Sequence, residues 1–531
     1  MKFMETERNI KNYIRNFHKN YQKIFLISFV IINIAFLFHT INFMFGDHDW
    51  NYIKKTIQWN EGTFEGRPLH FVLQSIFFNG HILPILNNLL SFFFLTLSGI
   101  FLAKYWKIPK TTLNYTLFTI FIATQPYTLA WLFYAKDTLI NLGLPFIAII
   151  SLLISEYAIN TKGYKYHLLS IILMYFSVAS YAPIINFYGV CILGKILLIY
   201  IQENKSFLQI VKNKIPTILD LILTLILFKI TLIISLSTTG YNTQTIPLDY
   251  MYPKLIETAT VMIKQFITPL PFMEYKYKIL LLLLYLYGLF ILLLNSEAKK
   301  IPFTLITTIA ILFASKLSFF IADERGEILA EMENFAYVPR LDFYGLVYVY
   351  ALGLAMILKF AQKRIYKIGV VLAILITFLS CVRDMYAQKV WKLGFDAEMK
   401  VTERIMSKIE QHKDFYPSYH YNILQIGSLS LRKNFYQKTI DEETSLDLLS
   451  TSYIPEFMSR ISYNFYYPYN VFIDNAGINN ISQKGRDFLL HKAQPFPSDN
   501  FMYIDGKTII IVLSEEGLHK AHQKINNVIP K

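Results

Sequence analysis

Residues 46–70 read GDHDWNYIKKTIQWNEGTFEGRPLH and follow an apolar run that extends from about Ile24 to Phe45. The segment sets Asp47, Asp49, Glu61, Glu65, His48, His70 and Arg67 among Trp50, Tyr52 and Trp59. It is too charged to lie in lipid and too aromatic to be an idle linker. Placed directly after a run of bilayer length, it reads as a loop held at one membrane face, and the rest of the chain reads as the bundle that holds it there.

Composition supports this. The chain has 531 residues, 54% of them hydrophobic and 16% aromatic. Soluble domains contain roughly 45–50% apolar residues even with Gly counted. The apolar residues fall in blocks near the ~20 residues that cross a bilayer, not in amphipathic stripes. The net charge of +14 is carried largely by Lys and Arg between those blocks, which argues for cytoplasmic loops and against a nucleic-acid surface. Cys191 and Cys381 both lie in apolar runs, so neither a disulfide framework nor a metal cluster can be built from them. The first apolar run ends without a small-residue cleavage site and reads as an anchor.

Residues 1–23 are basic and should stay in the cytoplasm. The apolar blocks then predict spans near 24–45, 82–103, 113–133, 138–157, 168–181, 184–201, 216–237, 278–295, 301–321, 342–360 and 367–386, with residues 71–81 as an interfacial helix. On this count of about eleven spans the short inner loops are rich in Lys and Arg, and the acidic and aromatic loops face out. The long loops 238–277 and 322–340 join residues 46–70 on the outer side. The fold class expected is a polytopic α-helical membrane protein over residues 1–390, with a catalytic first outer loop at 46–81. Residues 391–531 are expected to form an extracytoplasmic mixed α/β domain, with an amphipathic helix at 396–413 and two strands around an Asp-Gly turn within 501–513.

The outer loops hold the candidate chemistry. Asp47 and Asp49 form a D-x-D pair, which suits a hard divalent cation. An outer face argues against nucleotide-bound donors, leaving one carboxylate as general base on a hydroxyl and the other to orient it. A metal-free base and a bound divalent cation both stay open, as does a solvated loop in which an Asp caps a helix. Arg67 can pair bidentately with a phosphate, or meet lipid headgroups. Trp50 reads as a sugar-stacking or membrane-belt residue. His70 reads as a satisfied interfacial residue outside the mechanism. Lys136 and Asp137 fall on a short outer turn, preceded by Gln125-Pro126 inside a span. Arg325 and Arg340 bracket the acidic loop 322–340, with Arg340 better placed for a phosphate at the bilayer surface.

The order of these features resembles a known family. It runs from an outer acidic pair through GRPL (66–69), QP (125–126), Asp137 and Ser180-Tyr181 to Pro339-Arg340. Over roughly residues 25–360 it is similar to the bacterial glucosyltransferases typified by phage-encoded enzymes that glucosylate O-antigen, with the multi-span architecture called GT-C. His48 splits an acidic pair that is adjacent in the family, and Ala182 stands where the family has Gln. The resemblance implies a polyprenyl-phosphate sugar donor and a surface or cell-wall glycan acceptor at the outer face of the bacterial cytoplasmic membrane. It implies Asp47 or Asp49 as base, Arg67, Arg340 and Lys136 at the donor phosphate, and Trp50, Gln125, Asp137 and Tyr181 around substrate. A polymerase of lipid-linked glycans is the nearest enzyme alternative. A flippase for lipid-linked sugars is the other, though it should carry its charges at mid-membrane.

Overall fold

A computed structural model describes residues 21–42, 44, 56–64, 66–132, 134–239, 250–266, 275–321, 339–416, 419, 421–427 and 481–528. Asp47, Asp49, Trp50, Glu65 and Arg325 lie outside the described residues. The chain divides into two compact units, Met1–Gln388 and Lys389–Lys531.

The first unit is helical: α1 (Tyr21–Ala35), α2 (Leu37–Ile41), α3 (Glu61–Phe64), α4 (Val72–Phe78), α5 (Pro84–Tyr105), α6 (Thr112–Ala123), α7 (Pro126–Leu132), α8 (Ala135–Thr161), α9 (Tyr164–Ser180), α10 (Ile184–Gln202), α11 (Phe207–Thr239), α12 (Met251–Lys264), α13 (Tyr275–Leu294), α14 (Ile301–Ala314), α15 (Leu317–Ile321), α16 (Pro339–Phe343), α17 (Leu346–Phe360) and α18 (Lys363–Glu410), whose residues 389–410 belong to the second unit. Six of these, α5, α8, α10, α11, α13 and α18, are long and apolar enough to cross a membrane, and α1, α6 and α17 are shorter apolar helices. Along α11 the exposed residues Leu219, Ile222, Leu223, Ile226, Ile230 and Ile233 recur at three and four positions. Water would not tolerate so long an apolar stripe, whereas lipid favours it. The protein is a multi-pass membrane protein.

Local chemistry sets the helix limits. Pro84 opens α5, where its missing N–H costs nothing. Thr111 caps α6 by accepting a hydrogen bond from Asn114 N at 3.1 Å. α13 and α17 pack almost backbone to backbone, because a Cβ on Gly288 would meet Gly353 O at 2.3 Å.

Four predicted spans are broken. The stretch 113–133 divides at Thr124-Gln125 before Pro126, 24–45 divides at Phe36, 301–321 at Ser315-Lys316, and 342–360 at Tyr344-Gly345 between α16 and α17. Pro126 explains the first break, since it offers no N–H to the preceding turn. The loop expected at 238–277 contains α12. Residues 396–413 do not start a helix of their own: α18 runs unbroken to Glu410, with Lys392 paired to Asp396 one turn on.

The second unit is built on a three-stranded sheet of order β1-β3-β2, comprising β1 (Asn422–Ile426), β2 (Met502–Asp505) and β3 (Thr508–Val512). β2 and β3 pair antiparallel around the Asp505-Gly506 turn, with Met502 opposite Ile511. β1 runs parallel to β3, with Asn422 opposite Thr508, a pairing the sequence pattern did not reveal. Central β3 is buried on both faces. Ile509 and Ile511 pack with Ile405, Met406 and Ile409 of α18. Ile510 and Val512 pack against α19 (Gln483–His491) and α20 (Glu515–Val528). A TIIIV strand without alternation is what double-sided burial requires.

Candidate functional site

Five of the described candidates meet where α8 begins. The GRPL segment turns on Gly66, whose φ of +70° falls in the left-handed region open to glycine. From there Leu69 N donates to Ala179 O at 3.2 Å, and Ser180 Oγ donates back to Leu69 O at 3.4 Å. These bonds tie the segment to the end of α9. Arg67 then lies with its guanidinium 4.9 Å from the centre of the Tyr181 ring.

His70, expected to stand apart, is fully buried and central. Its Nδ1 is 2.7 Å from Ser180 O and its Nε2 is 2.9 Å from Asp137 Oδ1. A carbonyl only accepts, so Nδ1 carries a hydrogen. The second contact is then either an imidazolium donating to the carboxylate or a protonated Asp137 donating to Nε2. Either way a proton is held between the two side chains. Arg67 and Lys136 both act electrostatically on Asp137. Asp137 also lies in the first turn of α8, where the helix dipole favours negative charge.

An aromatic platform adjoins this pair. Trp131, Tyr181 and Tyr344 pack with ring centres 5.3, 5.6 and 6.0 Å apart. Tyr344 OH donates to Asn141, 2.8 Å from its carbonyl oxygen and 3.1 Å from its Oδ1. Trp131 Nε1 and Asn141 Nδ2 are buried donors with no hydrogen-bond partner among the described residues. Arg340, on α16, lies 4.1 Å from the Tyr134 ring centre, and Tyr134 O accepts from Asp137 N at 2.8 Å. Lys136 Nζ lies 5.5 Å from the Phe71 ring centre.

Arg67, Lys136, Asp137, Tyr181 and Arg340 are thus gathered around the start of α8, from positions 273 residues apart at the extremes. Gln125 is not part of this cluster. It is fully buried at the α6–α7 break, where its Nε2 donates to Phe121 O at 3.0 Å and its Oε1 has no partner among the described residues. The sequence reading passed over Trp131, Asn141 and Tyr344, which sit in apolar runs and carry no local signature. Among the described residues no group of three His, Cys, Asp or Glu side chains could hold a metal ion.

The family described as Glucosyl transferase GtrII matches residues 44–378. The chain belongs to this family. The matched stretch covers most of the first unit, including Arg67, His70, Asp137, Tyr181 and Arg340, and ends before the second. No curated protein and no solved structure matches the chain. Membership in the GtrII family, together with the apolar helices, makes the protein a membrane glycosyltransferase.

Proposed function

We propose that this GtrII-family protein transfers glucose, or another hexose, from a polyprenyl-phosphate donor to a surface or cell-wall glycan at the outer face of the cytoplasmic membrane. The observation that carries the reading is the convergence of three cations, Arg67, Lys136 and Arg340, with the Trp131–Tyr181–Tyr344 platform at the start of α8. A lipid-linked sugar phosphate needs cations for the phosphate, flat rings for the sugar face, and an apolar approach for the prenyl chain.

In this reading Asp47 or Asp49 removes the acceptor hydroxyl proton. The acceptor oxygen bonds to the anomeric carbon while the bond from that carbon to the phosphate oxygen breaks, and the phosphate leaves with the electron pair. Arg67, Arg340 and Lys136 stabilise the departing charge, and a single displacement inverts the anomeric centre. The His70–Asp137 pair holds the GRPL segment against α8 and α9, so that Arg67 is fixed before substrate arrives. A divalent cation on Asp47 and Asp49 remains compatible with the same step. The topology that goes with this reading is a GT-C bundle of about eleven spans with a cytoplasmic N-terminus and an extracytoplasmic second unit.

The test uses purified full-length protein in detergent with a panel of polyprenyl-phosphate sugars and candidate glycans, assayed for released lipid phosphate. Asp47→Asn or Asp49→Asn should reduce release by about 10²–10⁴-fold with the protein still folded. Consumption of no donor by the wild type, with lipid-linked sugar instead moved across liposomes, would replace the reading with a transporter.

A further inference from the structure

The second unit contains a solvent-facing cleft of about 650 Å³ that has no part in the step above. On one side α19 contributes Lys484, Asp487, Phe488 and Lys492, which recur at three and four positions and so share a helix face. On the other the end of α18 contributes Lys408, with Gln411 just beyond it. The two helices cover opposite faces of the sheet, and the edge strand β2 lies between them, with Asn500 and Tyr503 in the lining. This frame is fixed by the fold. Ser482 Oγ caps α19 by accepting from Gly485 N at 3.3 Å, and donates to Asp505 Oδ1 at 2.5 Å. Phe488 stacks on Tyr503 with ring centres 5.1 Å apart, and Lys408 reaches Asp499, ahead of β2, at 3.3 Å.

The polar groups around the cleft are not used by the fold. Among the described residues the Lys484 and Lys492 ammonium groups, the Asn500 side-chain amide and the Tyr503 hydroxyl have no protein partner. Asp487 accepts from Gln483 Nε2 at 3.0 Å through Oδ1, and Asp499 meets Lys408 through Oδ1, so Oδ2 of each is left to accept. Exposed lysines alone mark nothing; here they line a concavity within the roughly 300–1,000 Å³ of small-molecule sites. The mixture of groups narrows the ligand. An apolar one would leave every charge idle, and a bare anion would be drawn by the lysines but repelled by Asp487 and Asp499. A polyol with an anionic group serves them all. Its hydroxyls donate to the carboxylates and accept from Asn500 and Tyr503, its anionic group pairs with a free lysine, and the Phe488–Tyr503 stack offers ring surface to a sugar. Three lysines against two aspartates favour the anion over a cation. Lys484 and Lys492 are eight residues apart, about 12 Å along the helix at ~1.5 Å per residue, which is longer than one sugar ring.

We propose that this cleft binds an acidic oligosaccharide. Lys484 and Lys492 hold its carboxylate or phosphate groups, Asp487 and Asp499 accept from its hydroxyls, and a sugar ring rests against Tyr503. Taken with the transfer reading, on which this sentence alone depends, the glycan acceptor is an acidic one that the second unit holds. Binding itself rests on the cleft and its unused groups and does not need that reading.

The test is titration calorimetry on the full-length protein in detergent. The probes are trigalacturonate, maltotriose carrying a 6-phosphate, plain maltotriose as the neutral sugar, and citrate as an anion without a sugar ring. Wild type should bind one or both of the acidic sugars about tenfold or more tightly than maltotriose or citrate. The double variant Lys484→Met with Lys492→Met should weaken that binding about tenfold or more, and the corresponding pair of Lys→Arg changes should largely restore it. Neither lysine holds the fold, so the unfolding midpoint should not move. Asn500→Ala, which leaves the charge unchanged, should weaken binding by a smaller factor. Lys520→Ala, which removes an exposed lysine of α20 outside the cleft, should leave it as in wild type. Preference for trigalacturonate assigns the carboxylate, and preference for the phosphorylated sugar assigns the phosphate. Absence of binding by wild type, equal binding of maltotriose or of citrate, or binding that the double lysine variant leaves intact each overturns the proposal. Calorimetry reads the cleft whether or not a donor is consumed, so failure of this site and failure of the transfer reading are separate results.

Discussion

The two ends of helix α8 use charge in opposite ways. Asp137 and Glu156 are 19 residues apart on it, about 28 Å along the axis at ~1.5 Å per residue. At the Glu156 end the lysines are consumed by the fold. Lys195 bonds Tyr105 O and lies 3.6 Å from Glu156, Lys214 bonds the same carboxylate, and Lys359 donates to Trp106 O at 3.0 Å. The Lys195 and Lys359 ammonium groups satisfy carbonyls orphaned where α5 ends and complement its dipole. At the Asp137 end the cations Arg67 and Arg340 lie over aromatic rings, and the donor Trp131 Nε1 has no partner among the described residues. In the proposed reading a ligand completes the Asp137 end, whereas the protein's own groups complete the Glu156 end. A count of charged residues would not separate them; how their hydrogen bonds are spent does.

Substitutions at the two ends should therefore fail differently. The largest loss of stability is expected from His70→Ala, which leaves Asp137 buried with its main partner gone. About 3–5 kcal/mol should be lost in denaturant unfolding monitored in detergent. A loss below 1 kcal/mol would mean that the pair does not organise the Asp137 end. Arg67→Ala should lower turnover by about 10²-fold, comparable with removal of one transition-state donor, and leave unfolding nearly unchanged. Lys195→Met reverses that pattern: about 1–3 kcal/mol of stability should go because Tyr105 O loses its partner, with turnover of the surviving folded protein at the wild-type level. If Lys195→Met instead reduced turnover as Arg67→Ala does, the contrast between the ends would be lost. Tyr344→Phe deletes one buried hydrogen bond to Asn141 and should cost about 1 kcal/mol, readable as a small shift in unfolding midpoint. Lys520→Ala, in an exposed pair with Glu516 in the second unit, should change stability by less than about 0.5 kcal/mol and activity not at all.

Where the sequence reading succeeded and where it stopped follow from the range of the forces involved. Helix α8 was legible because residues 142–154 within it are apolar but for Ser151, and the strands β2 and β3 because Asp505-Gly506 sits between two β-branched and aromatic runs. Arg67, Lys136, Asp137 and Arg340 were legible as candidates because charge next to an apolar block is conspicuous. His70 was read as a satisfied polar residue, and both its ring nitrogens have partners, but a lone histidine in a polar segment gives no sign of the carboxylate 67 residues away that it will meet. Lys278 was hidden as well, since a lysine near a helix end ordinarily reaches to the membrane surface.

The sequence by itself determined that this is a multi-pass helical membrane protein with a smaller α/β unit at its end, and which loops carry its charge. Hydropathy, turn chemistry and charge next to apolar blocks act within a few residues, so they can be read in one dimension. Only the tertiary structure decided that Arg67, His70, Asp137, Tyr181, Tyr344 and Arg340 share one place, that Gln125 is buried at the α6–α7 break instead, and that Lys278, Lys316 and Asp342 are enclosed. Those outcomes depend on how helices pack, where Pro126 breaks one of them and which buried groups are left unpaired, and no local pattern in the chain encodes them.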